Sequence, residues 1–193
     1  DMTGIKAISD ALHVNSSMKK LNVLENYIGD EGYDMLTQVA EAKGIGTLCG
    51  LDEGQTEVDL SEQNLRPLDA KLIARELTTG YVSSSMTFVD LSANNLGGRI
   101  ESKYIKGKSW AKGEKVEHKG LNWTCTEIHP NGDHRKLTRY DRSGIKAIGD
   151  VLSVSSSMNK LNILSNSIGD EGYGILTKVA EEKIILTLVG FDE

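Results

Sequence analysis

The sequence predicts an α/β fold of alternating short strands and amphipathic helices, interrupted by a small antiparallel β insertion. Three observations lead there. Residues 1–53 align without a gap on residues 141–193, with 35 of the 53 pairs identical, so a unit of 140 residues begins a second copy inside the chain. Within that unit a shorter block recurs four times, each a strand-like alternation followed by Asn or Gln and then a branched apolar residue. Between the third and fourth blocks the texture changes to a basic, aromatic-bearing stretch with a strong turn signal.

The elements follow in order. Ile5, Ile8 and Leu12 recur at i, i+3 and i+7, the spacing of one apolar helix face, with Lys6, Asp10 and His13 outside it and Thr3 placed as an N-cap. Leu21-x-Val23-x-x-Asn26-x-Ile28 alternates as a half-buried strand does, and its Asn is suited to tie down backbone groups where the chain turns. Leu36, Val39 and Ala40 make the next helix, after the acids Asp30 and Glu31 that favour a helix N-terminus. Val58-x-Leu60-x-x-Gln63-x-Leu65 is the second block, followed by a helix opening at Pro67 and carrying Leu72, Ile73 and Leu77. Val89-x-Leu91-x-x-Asn94-x-Leu96 is the third. After the insertion, Ile145, Ile148 and Leu152, with Ser143 as N-cap, repeat the first helix, and Leu161-x-Ile163-x-x-Asn166-x-Ile168 the first block. Asn26, Asn94 and Asn166 are expected to be buried with their amides on backbone groups, with Gln63 a weaker substitute.

These blocks resemble the leucine-rich repeat, L-x-x-L-x-L-x-x-N-x-L, in its strand-helix, ribonuclease-inhibitor-like form. The resemblance implies a leucine-rich-repeat solenoid with a parallel sheet on the concave side and helices on the convex side. The block spacings of 37, 31 and 72 residues depart from the family's usual period of about 20–29, which a short insertion near residues 50–56 and a long one over 99–142 explain. With Gly4-Ile5-Lys6-Ala7-Ile8 and the turn Ile28-Gly29-Asp30-Glu31-Gly32, nearly the whole chain is similar to long leucine-rich-repeat arrays of algae and protists. The expected organisation is repeats over 1–98, an insert over 99–143, and a second copy of 4–53 over 144–193.

The insert stands apart in charge. Residues 101–143 carry ten Lys and Arg against six acids, in a chain whose 22 basic and 28 acidic residues sum to −6. Val116, Trp123, Cys125, Ile128, Leu137 and Tyr140 are spaced as in strands, and Pro130-Asn131-Gly132-Asp133 marks a hairpin turn. The stretch resembles part of an SH3-, Tudor- or KOW-like small barrel.

Chemistry is sparse. Cys125-x-x-x-His129, with His118 and His134 nearby, fits no standard zinc spacing, and a solvated basic hairpin accounts for it more simply. No phosphate loop, nucleophile elbow, H-E-x-x-H or dinucleotide fingerprint occurs, so neither catalysis nor a cofactor is expected. The acidic balance argues against nucleic acid as partner, and no stretch approaches the ~20 apolar residues of a membrane span. Two widely separated cysteines favour an intracellular, reducing setting.

The function expected is a non-enzymatic protein-interaction scaffold. The resemblance places Glu57, Asp59, Phe88, Asp90, Asn162 and Leu164 on the concave face. Phe88 is then an apolar anchor flanked by Asp59 and Asp90, suited to a partner with a basic rim and an apolar pocket. The alternative is a structural or accessory subunit bound permanently, through the insert and the array ends, in a large assembly of the plastid or membrane-associated kind. The apolar C-terminal stretch, with Leu186, Leu188 and Phe191, is expected to be an edge covered by further repeats or a neighbouring chain.

Overall fold

A computed structural model describes residues 2–79, 81–82, 84–182 and 187–189. Five helices are present among them: α1 (Met2–Val14), α2 (Gly29–Lys43), α3 (Pro67–Glu76), α4 (Ser143–Val154) and α5 (Gly169–Glu182). The first sheet is parallel and joins β1 (Glu57–Asp59), β2 (Phe88–Asp90), β8 (Lys160–Asn162) and β9 (Thr187–Val189) in the order β1-β2-β8-β9. The second is antiparallel and lies between β2 and β8 in sequence: β3 (Ile100–Glu101), β4 (Ile105–Lys106), β5 (Lys115–His118), β6 (Leu121–Ile128) and β7 (His134–Arg139). Its order is β3-β7-β6-β5, with β4 also on β7.

Each sheet has its own core. Val89, Leu91 and Leu161 under the parallel sheet pack with Leu36, Leu72, Ile73, Ile145 and Ile148 from the helices, so one apolar layer joins strands to helices. The antiparallel sheet closes on Val116, Cys125 and Leu137, with Ile105, Trp110 and Trp123 packed against them. Arg135, one of the insert's basic residues, is buried there, donating through Nε to the Trp110 carbonyl at 2.6 Å and through Nη1 to the Gly132 carbonyl at 2.8 Å.

The leucine-rich-repeat solenoid with a single parallel concave sheet is corrected by this arrangement. The described chain builds two sheets of opposite kind, and the first block does not contribute a strand. Residues 20–22 form only isolated bridges, Lys20 parallel to Thr47 and Asn22 antiparallel to Cys49. The reason is physical: alternation reports local strand character, whereas stacking equal units needs equal spacing, and the uneven block spacing does not supply it. Two cap assignments are corrected as well. Thr3 lies inside α1, and Ser143 is the first residue of α4, its N–H donating to Asp141 Oδ1 at 3.1 Å.

The turns after the blocks share one construction. Glu25, Glu62, Ala93 and Ser165, each just before the block's Asn or Gln, hold positive φ between 54 and 63°, a conformation that costs a non-glycine residue about 1 kcal/mol or more. Hydrogen bonds offset it. Asn94 Nδ2 donates to the carbonyls of Leu60, Leu91 and Ser92 while Oδ1 accepts the Leu65 N–H, and Asn166 does the same with Leu91, Ile163 and Leu164 and the Leu96 N–H. Both are buried, at 8% and 2% exposure. Asn26 departs from the expectation: it is exposed and its Nδ2 donates only within its own block, to Val23 and Leu24. Gln63 is half-buried.

Candidate functional site

Three-residue strands in register turn every first and third residue to the sheet's outer face. Glu57, Phe88 and Lys160 therefore make one row, and Asp59, Asp90 and Asn162 the next. Glu57, Asp59 and Lys160 are exposed, while Phe88, Asp90, Asn162 and Leu164 are half-buried. Asp90 follows Phe88 two residues along the same strand and Asp59 holds the diagonal position, while the row neighbours of Phe88 are Glu57 and Lys160, and the Lys160 ammonium stands 4.6 Å from the ring centroid as a cation–π partner. The base thus contacts the ring, and the acid holds the paired position on the opposite side.

The second row is partly committed to the fold. Asp59 Oδ1 accepts the Ser61 N–H at 2.9 Å, Asp90 Oδ1 the Ser92 N–H at 2.9 Å, and Asn162 Oδ1 the Leu164 N–H at 3.2 Å, the Asx-type turn that leads each strand out of the sheet. The Ser61 hydroxyl and then its N–H hold the Asp59 carboxyl below its usual range. Asp90 Oδ2 accepts from Asn162 Nδ2 at 2.9 Å and Oδ1 also from the Ser92 hydroxyl, so this carboxylate ties β2 to β8. Leu164 contributes its carbonyl to Ala93 N–H and Asn166 Nδ2. Of the C-terminal edge, Leu186 and Phe191 lie outside the described residues, and Leu188 is described only as the centre of β9, paired with Leu161.

Two buried acids of α3 escaped the reading of the sequence. Asp69 accepts the Glu25 N–H at 3.1 Å and the Arg66 N–H at 2.9 Å, and Glu76 accepts the Leu48 N–H at 3.1 Å beside Arg75 Nη1 at 3.1 Å. Burial pushes both carboxyls up from their ordinary values, against the hydrogen bonds that pull them down. A signal was present: Asp69, Leu72, Ile73 and Glu76 fall at i, i+3, i+4 and i+7, which puts both acids on the buried stripe. Both serve to pin the turns of the first copy onto α3. Burial, together with Glu76 and Asp69, also raises the Cys49 thiol well above its usual value.

In the insert, Cys125 is buried and His129 and His134 face each other across the hairpin with ring centroids 5.7 Å apart. Among the described residues no group of three or more His, Cys, Asp or Glu side chains is placed to hold a metal ion. Trp110 meets His118 edge-on and lies under Lys108, and Trp123 lies under Arg139. Among the described residues no helix is long and apolar enough to cross a membrane.

No protein-family model matches the chain, and no curated protein matches it. Among solved structures, the chain is similar to "Leiomodin-1 Actin-Binding Site 2 (ABS2)", at 14% identity and a TM-score of 0.44, over 98% of this chain and 77% of that one.

Proposed function

We propose that the chain is a non-enzymatic protein-binding module that uses the outer face of its parallel sheet. The observation that supports this is the row Glu57, Phe88 and Lys160: a half-buried aromatic ring on an inner strand of the parallel sheet, with an acid and a base at the paired positions on either side. An aromatic ring in such a setting offers large contact area at little conformational cost. The partner presents an apolar pocket to Phe88, with basic groups at its rim toward Glu57 and Asp59. Replacing Phe88 by a photo-crosslinking phenylalanine analogue identifies the partner in its native extract, and Phe88→Ala then weakens the purified pair by about 2 kcal/mol, roughly thirtyfold in Kd. Unchanged affinity moves the interface off this face. A second reading, a subunit held permanently within a larger assembly, is favoured by α1, where Ile8 is 39% exposed and Ala11 lies on the surface.

A further inference from the structure

Helices α1 and α4 occupy equivalent positions in the two copies, with Gly4-Ile5-Lys6-Ala7-Ile8 repeated as Gly144-Ile145-Lys146-Ala147-Ile148. Their surroundings differ. Ile148 is 1% exposed and Val151 6%, whereas Ile8 is 39% exposed and Ala11 is on the surface. What closes over α4 is α3: a Cβ built on Gly144 falls 2.5 Å from the Pro67 carbonyl oxygen and 2.7 Å from Ala70 Cβ, while one built on Gly4 meets nothing within 4 Å. Hydrogen bonding carries the same contrast independently. Asn166 reaches back to Leu91 and receives the Leu96 N–H from the preceding block, and Asn94 does so with Leu60 and Leu65. The bonds of Asn26 all stay inside its own block. Met18 and Leu21 are half-buried where Met158 and Leu161 are buried.

We propose that the face of Gly4, Ile8 and Ala11, continued by Met18, Leu21 and Asn26, docks a partner segment with the chemistry of residues 57–98. That segment is an amphipathic helix opening on proline, with alanines along its contact face as at Pro67, Ala70 and Ala74, followed by a short strand and turn whose backbone meets Asn26. The glycine at position 4 lets the two helix backbones approach to van der Waals contact, as Gly144 does for α3. The incoming turn supplies an N–H to Asn26 Oδ1 and a carbonyl to its Nδ2, the bonds that Asn166 already makes. This face lies apart from the outer row of the parallel sheet, so the two surfaces are separately testable.

The test delivers the segment in two ways to the full chain. In the first, residues 57–140 are fused ahead of residues 1–193, and amide hydrogen exchange over residues 2–14 is compared with the unfused chain. Docking slows exchange there by about tenfold or more, and Ile8→Lys in the fusion abolishes the slowing without altering exchange over 143–154. In the second, a synthetic peptide of residues 64–79 carrying Ala70→Cys is mixed under mild oxidation with the chain carrying Gly4→Cys. A disulfide that Ile8→Lys prevents supports the proposal even where the fused segment fails to fold. Unchanged exchange together with no trapping overturns it. So does concentration-dependent self-association of the unmodified chain that Ile8→Lys removes, because the occupant of the face would then be a second copy.

Discussion

Two stretches of this chain with nearly the same sequence live in different surroundings, and the contrast between them explains more than either alone. In the second copy, Gly144, Ile145, Ile148, Val151 and Leu152 are all buried; in the first, the equivalent Gly4, Ile8 and Ala11 are exposed and only Leu12 among these positions is buried. The periodic pattern specifies which face of a helix is apolar, and the neighbour decides whether that face is covered. The first copy is held from its other side, where Asp69 and Glu76 of α3 accept the Glu25 and Leu48 N–H groups.

The largest effect expected from this comparison is at the paired isoleucines. Ile148→Ala leaves a cavity between α3 and α4 and costs about 2–5 kcal/mol, whereas Ile8→Ala costs about 1 kcal/mol or less because its side chain is partly in water and alanine favours the helix. Denaturant titration of both variants measures the difference, and equal losses would break the comparison. The asparagines give the next effect. Asn94→Ala and Asn166→Ala each cost about 1–3 kcal/mol by stranding buried backbone groups in two blocks. Asn26→Ala, exposed and bonded within one block, costs about 1 kcal/mol or less.

A smaller effect concerns pH. Glu76 has its folded pKa raised by burial, so its protonated form is favoured by folding. Its contribution to stability is fully present below the ordinary glutamate pKa and is lost as pH rises through the raised value. Wild-type stability minus that of Glu76→Gln, measured across that window, therefore falls with rising pH. A difference that stays flat or rises would show that the hydrogen bonds from Leu48 and Arg75, rather than desolvation, dominate this carboxyl.

Much of this was legible in the sequence. Strand–helix alternation, the antiparallel insert with its Pro130–Asp133 turn, and the buried Asn94 and Asn166 each follow from spacing and residue chemistry. Three things were not legible, each for a physical reason. Regular stacking is not encoded by alternation alone: residues 20–22 have strand-like alternation but pair only through isolated bridges. The neighbours of Phe88 depend on the register between β2 and β8, strands separated by the whole antiparallel sheet, and no local pattern encodes that. Asn26 shares with Asn166 the frame Leu-Asn-x-Leu-x-Asn-x-Ile, and its exposure follows from what lies beside it.

One pair of substitutions, Gly4→Ala and Gly144→Ala, compared by equilibrium unfolding of the whole chain, separates the two copies most directly. Both glycines lie in the first turn of their helices, so alanine gains up to about 1 kcal/mol of helix propensity at either site. At Gly4 the added methyl enters open space, and the variant should be more stable than the parent. At Gly144 the methyl meets the Pro67 carbonyl and Ala70 across the α3–α4 contact, and the variant should be less stable by about 1–3 kcal/mol. Opposite signs are the predicted result; equal signs would contradict the claim that the two copies differ by the neighbour one of them has.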